Sequence, residues 1–102
     1  MSAAKTKALK LIEENPVVVF SKSWCPYCRT AKATLTAQGA KFHVEELDQI
    51  DDGDAIKAAL SQENGSNTVP MIYIGGEFVG GNSDLQGIKK DLPEKLKKAG
   101  AV

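Results

Sequence analysis

The sequence predicts an α/β fold, a single domain over residues 1–102 in which a four-stranded mixed sheet is flanked by helices. Three observations carry this. Val17-Val18-Val19-Phe20 is a continuous β-branched and aromatic run, too short for a helix, as expected of a strand buried on both faces. A helical segment follows, then the alternating run Phe42-His43-Val44-Glu45-Glu46-Leu47, which makes a β-α-β unit with a parallel pair and a right-handed crossover. Met71-Ile72-Tyr73-Ile74 and Glu77-Phe78-Val79 flank Gly75-Gly76, the spacing and residue types of a hairpin.

The elements follow in order. The first is a helix from about Ser2 to Glu14, with Ala4, Ala8, Leu11 and Ile12 on one face and lysines on the other, ended by Asn15-Pro16. After the first strand, Pro26 opens a helix that runs through Ala31, Ala33 and Leu35 to Gly39, a stop residue. Beyond the second strand, the acidic stretch Asp48 to Asp54 leads into a helix carrying Ile56, Ala59 and Leu60, closed by Gly65. Its early carboxylates suit the positive end of the helix dipole. After the hairpin, Ser83 with Gln86 matches a capping box and predicts a helix from Ser83 to Lys90. A short helix from about Pro93 to Lys98 completes the series.

A chain of 102 residues buries about two-thirds of its unfolded surface, so neither a metal nor a disulfide is required to hold it together. Thirteen Lys+Arg balance thirteen Asp+Glu, which argues against a nucleic-acid binder and against a polybasic membrane-surface protein. No apolar run approaches the ~18 residues of a membrane span. The amino terminus alternates apolar with charged residues where a secretory signal would be unbroken, so a cytoplasmic location is expected and Asn64-Gly65-Ser66 is read as a chance glycosylation match.

The chemistry concentrates at Cys25-Pro26-Tyr27-Cys28, at the junction of the most buried strand and the helix after it. Backbone N–H groups and the positive end of the dipole converge there, so a thiol at that place ionises readily, and the thiolate is the nucleophile of disulfide exchange. Cys28 sits one turn inside Cys25, close enough to form a bridge yet less exposed; Cys25 is therefore the attacking residue and Cys28 the resolving one. Lys22 adds positive charge that favours the thiolate and attracts a carboxylate-bearing substrate. A structural zinc site would need four ligands, and only His43 joins the two cysteines as a strong candidate. His43 itself is read as a packed or surface residue, and the Lys89-Lys90 and Lys95–Lys98 clusters as a solvated helical face.

Cys25-Pro26-Tyr27-Cys28 after a Val-rich strand, then Thr68-Val69-Pro70, then Gly80-Gly81-Asn82-Ser83-Asp84-Leu85, resemble the dithiol glutaredoxins of fungi and plants, members of the thioredoxin superfamily. The resemblance covers nearly the whole chain and implies a thioredoxin-like fold. It also implies a cis Val69-Pro70 bond facing the cysteine pair, with the Val69 backbone free to pair with glutathione as a short added strand. Gly80-Gly81 would allow close approach, and Ser83 and Asp84 would hold the γ-glutamyl carboxylate and amine. Tyr27 would flank the glutathione sulfur and Thr68 would line the groove, while Trp24 is expected to pack at its loop.

Two positions depart from the family pattern. Lys57 stands where many relatives carry Gln, and Asn67 where they carry Arg or Lys, so Lys57 is the expected replacement for the cation that meets the glycine carboxylate of glutathione. The implied activity is glutathione-dependent reduction of protein-glutathione mixed disulfides and protein disulfides, with glutathione as co-substrate and no metal. Implied partners are glutathionylated or disulfide-containing proteins such as ribonucleotide reductase, with glutathione reductase and NADPH acting indirectly on a monomer. Thioredoxins usually place Gly-Pro between their cysteines, and cluster-binding relatives usually place Gly or Ser at position 26, so Pro26-Tyr27 argues against both alternatives.

Overall fold

The Ser2 hydroxyl accepts the Lys5 N–H at 3.1 Å and so caps the first helix of the computed structural model, which describes residues 2–102. That helix, α1 (Ala3–Glu14), turns Ala4, Ala8 and Ile12 inward. Strand β1 (Val17–Ser21) is buried at all five positions because it is an interior strand of the sheet, whose order is β2-β1-β3-β4. Strand β2 (His43–Glu46) runs parallel to β1, with Val18 opposite His43 and Ser21 opposite Glu46. On the other side β3 (Met71–Ile74) pairs antiparallel with β1, and β4 (Glu77–Gly80) pairs antiparallel with β3. The four-stranded mixed sheet and flanking helices are those expected from the sequence. Gly75 and Gly76 both have positive φ, at 60° and 83°, which the predicted two-residue hairpin turn requires.

Because side chains alternate along a strand, β1 feeds two cores. Val18 and Phe20 pack with Met71 and Tyr73 against α1 and against Ile56 and Leu60 of α3 (Gly53–Asn64). Phe20 and Tyr73 meet edge to face at 5.8 Å between centroids. Val17 and Val19 pack with Ile72 and Ile74 on the opposite face. Their cover is Ala31 and Leu35 of α2 (Pro26–Ala37), Leu85 of α4 (Asn82–Gly87), and Leu92 and Leu96 of α5 (Leu92–Ala99). Among the described residues no helix is long and apolar enough to cross a membrane.

The structure corrects three details. Ser83 does not cap α4: the helix begins at Asn82 behind Gly81, whose N–H donates to Asp84 Oδ2 at 2.9 Å, and Ser83 lies exposed in the first turn. Gln86 does not close a capping box either; its amide donates to Thr34 Oγ1 at 2.9 Å and Asn82 Oδ1 at 3.1 Å, tying α4 to α2. Helix α4 also ends at Gly87, short of Lys90, because Leu92 must turn inward to start α5. Lastly, the acidic stretch does not act as one dipole partner. Leu47–Gln49 forms a single 3-10 turn that buries Leu47, and only Asp54 lies in the first turn of α3.

Candidate active site

Strand β1 ends at Ser21, and the loop after it delivers Cys25 to the N-cap of α2, with Pro26 in the first turn. The Cys25 N–H donates to Lys22 O at 3.0 Å, closing the loop, while Cys25 Sγ accepts the Cys28 N–H at 3.4 Å. That bond and the N-cap position fix the sulfur at the helix end, directed out of the turn that buries Cys28. Cys25 is 6% exposed and Cys28 fully buried, in the order expected for attacking and resolving residues. Burial is the main reason that the Cys28 thiol is pushed up to about 11, and the neighbouring Cys25 side chain raises it further. Hydrogen bonds with the Lys22 backbone and the Ser21 side chain pull the other way without prevailing. Cys28 therefore stays protonated while Cys25 attacks.

The opposite wall comes from the loop before β3. The Val69-Pro70 bond is cis, and Val69 O lies 4.0 Å from Cys25 Sγ. Among the described residues the Val69 backbone pairs with no other backbone group, its C=O facing only the Cys25 thiol, so this edge is open to an added strand. Gly81 is close by, since a Cβ there would stand 3.6 Å from Pro70 O, an ordinary contact. The glycine the site requires is Gly80: its φ is 125°, and a Cβ would collide with the Asp84 carboxylate. What approaches Gly80 closely is thus the side chain that fixes the start of α4.

Thr68, Ser83 and Asp84 are exposed along this rim, and Tyr27 is exposed beside Cys25. Trp24 does not pack at its loop as expected; its ring stands 64% exposed with Lys22 Nζ 5.8 Å from its centroid. Lys57 is half-buried on α3 and Asn67 exposed on the following loop, and among the described residues Lys57 forms no ion pair. His43 lies on β2 with Nε2 3.8 Å from Glu45 Oε1 and makes no hydrogen bond to either cysteine.

One contributor went unnoticed in the sequence. Asp48 Oδ1 accepts the Ser23 N–H at 2.9 Å and Oδ2 accepts the Ser23 hydroxyl, fixing the loop two residues before the nucleophile. The Ser23 hydroxyl, then the Ser23 amide, hold the Asp48 carboxyl below its ordinary range. No local sequence signal marks it: the parallel register sets Ser21 opposite Glu46, and the contact between Ser23 and Asp48 lies two residues further along each chain. The Cys25 sulfur lies between the N-terminus of α2 and the Val69-Pro70 loop. Two cavities among the described residues, about 430 and 440 Å³, sit away from the cysteines, one lined by Phe78 and Lys95 and the other by Pro16 and Gly76.

Comparison with known proteins decides what this site belongs to. The glutaredoxin family model matches residues 17–79, more than half of the chain and inclusive of the cysteine pair and the cis-proline loop. The chain belongs to the glutaredoxin family.

This glutaredoxin is 47% identical over 88 residues to glutaredoxin-2 of Schizosaccharomyces pombe, covering 86% of this chain and 80% of the relative. It is 44% identical over 101 residues to the glutaredoxin of Ricinus communis, covering 97% and 99%. Its structure matches that of a buckwheat glutaredoxin-glutathione complex with a TM-score of 0.94 at 42% identity, covering 97% of this chain and 92% of that one. Its fold is accordingly the thioredoxin-like fold of glutaredoxins, and as a glutaredoxin it is a thiol-disulfide oxidoreductase.

Proposed function

We propose that this glutaredoxin uses glutathione to reduce protein-glutathione mixed disulfides and protein disulfides through Cys25 and Cys28. The observation that carries the reading is the Cys25 sulfur at the N-cap of α2, holding the Cys28 N–H, with a buried and protonated Cys28 behind it.

The Cys25 thiolate attacks the glutathione sulfur of a mixed disulfide. A Cys25-glutathione disulfide forms, the old S–S bond breaks, and the substrate leaves as a thiolate that takes a proton from water. Glutathione thiolate then attacks the adduct, releasing oxidised glutathione and restoring the Cys25 thiolate. With a protein disulfide, Cys25 attacks one sulfur and Cys28, losing its proton, displaces the substrate to leave a Cys25-Cys28 disulfide. Two glutathiones reduce that disulfide, and glutathione reductase with NADPH regenerates them.

Glutathione would lie along the Val69 backbone, with Thr68 and Pro70 at its side and Tyr27 beside its sulfur. Gly81, Ser83 and Asp84 would receive the γ-glutamyl end, and Lys22 and Lys57 would supply positive charge for its carboxylates. The Val69 backbone, which has no backbone partner and lies against Cys25, supports this placement, and the buckwheat relative was solved with glutathione. Protein substrates of the ribonucleotide reductase kind, a monomeric state and a cytoplasmic location, where glutathione keeps thiols reduced, complete the reading. The test is turnover of a cysteine-glutathione disulfide coupled to glutathione reductase and NADPH; a folded, reduced protein with no turnover would overturn it.

A further inference from the structure

We infer that Trp24, with the cations Lys22 and Arg29, forms a docking platform for the polypeptide that carries the glutathionylated cysteine, and that it favours segments with acidic and apolar residues beside that cysteine. The inference rests on the glutathione-dependent reading above. A Trp is ordinarily mostly buried, yet Trp24 is 64% exposed immediately before the nucleophile. Exposed indole next to a reactive group is what an interface anchor looks like before its partner arrives.

Sheet order gives the platform its side. Ser23 is tied to Asp48, beyond β2, whereas Cys25 Sγ faces Val69, before β3, across β1. If glutathione takes the Val69 side, the loop carrying Trp24 lies on the side of the nucleophile left to the rest of a mixed disulfide.

Charge then selects the partner. Lys22 Nζ stands 5.8 Å from the Trp24 ring centroid, and Arg29 is exposed one turn into α2. Among the described residues neither cation has an ion-pair partner. The nearby acid, Asp48, has both oxygens engaged by Ser23. An aromatic ring with Lys22 over it, and a second unpaired cation exposed on the helix that follows, complements a segment that brings a carboxylate and an apolar side chain together. It disfavours a basic one.

The experiment compares wild type with Trp24→Ala and Trp24→Phe on three substrates: cysteine-glutathione disulfide, a glutathionylated peptide with Glu and Leu flanking its cysteine, and the same peptide with Lys in place of Glu. Trp24→Ala should stay within about twofold of wild type on the small disulfide and lose about fivefold in kcat/KM on the Glu peptide. Trp24→Phe should restore most of that loss. Wild type should prefer the Glu peptide to the Lys peptide, and raised salt should shrink the preference. Equal loss on the small disulfide and the Glu peptide, or no loss on either, would overturn the platform while leaving the activity intact. Absence of turnover of the small disulfide by wild type would instead overturn the underlying reading, and the platform with it.

Discussion

The Cys28 N–H donates to Cys25 Sγ at 3.4 Å, so the resolving residue's own backbone holds the nucleophile in place. The same turn of helix buries the Cys28 thiol and pushes it from an ordinary 9.0 to about 11. One cysteine is thereby held in place at the helix end and the other kept as a proton reserve.

A labelling pattern follows. At about pH 7, limited iodoacetamide should modify the reduced native protein at one site, Cys25, and leave Cys28 unmodified until the protein is denatured. The folded state holds the Cys28 proton more tightly than the unfolded state, so this group's contribution to stability is complete below pH 9 and is lost as pH rises toward 11. Unfolding midpoints over that window should fall more steeply for wild type than for Cys28→Ser. Equal labelling of both cysteines by peptide mass would contradict the assignment.

Asp48 positions the loop without touching the reacting sulfur. Asp48→Ala frees Ser23, and the expected result is a loss of about two- to fivefold in kcat/KM with the fold retained. The Ser23 bonds depress the Asp48 carboxyl, so its contribution to stability is present above the ordinary carboxylate range and lost as pH falls through the depressed value. Acid unfolding curves should therefore differ between wild type and the variant at neutral pH and converge in strong acid. Identical curves at neutral pH would show that the tether does nothing.

Gly80→Ala strains φ at 125° and drives a methyl group into the Asp84 carboxylate. A destabilisation of about 2 kcal/mol or more is expected, measurable by urea denaturation. Gly81→Ala, which meets only an ordinary contact with Pro70 O, should cost clearly less. The reverse order would mean that Gly81 is the position the backbone depends on.

Lys57→Ala tests whether this lysine stands in for the cation missing at Asn67. The apparent KM for glutathione should rise by more than about twofold while turnover at saturation changes little. A KM within twofold of wild type would remove Lys57 from the site.

Much of the fold was legible because β1 is an unbroken Val17–Phe20 run and the Gly75-Gly76 turn admits few alternatives. The cysteine pair was legible for a similar reason: a strand followed by Pro26 fixes where the helix begins. Less visible is the start of α4, because Ser83 and Gln86 match a capping pattern while the bond that forms is from the Gly81 N–H to the Asp84 carboxylate, two residues earlier. The exposure of Trp24 is not legible either, because sequence records size and polarity but not which face of a loop meets solvent. The Ser23-Asp48 tether spans 25 residues and emerges only once the parallel register of β1 and β2 is known.

The most direct test is the activity of two single variants on two substrates, a glutathionylated peptide and a protein disulfide. Cys25→Ser should abolish both activities, whereas Cys28→Ser should retain deglutathionylation and lose protein-disulfide reduction. Equal loss in the two variants on the glutathionylated peptide would contradict the division of labour between an attacking Cys25 and a protonated, buried Cys28.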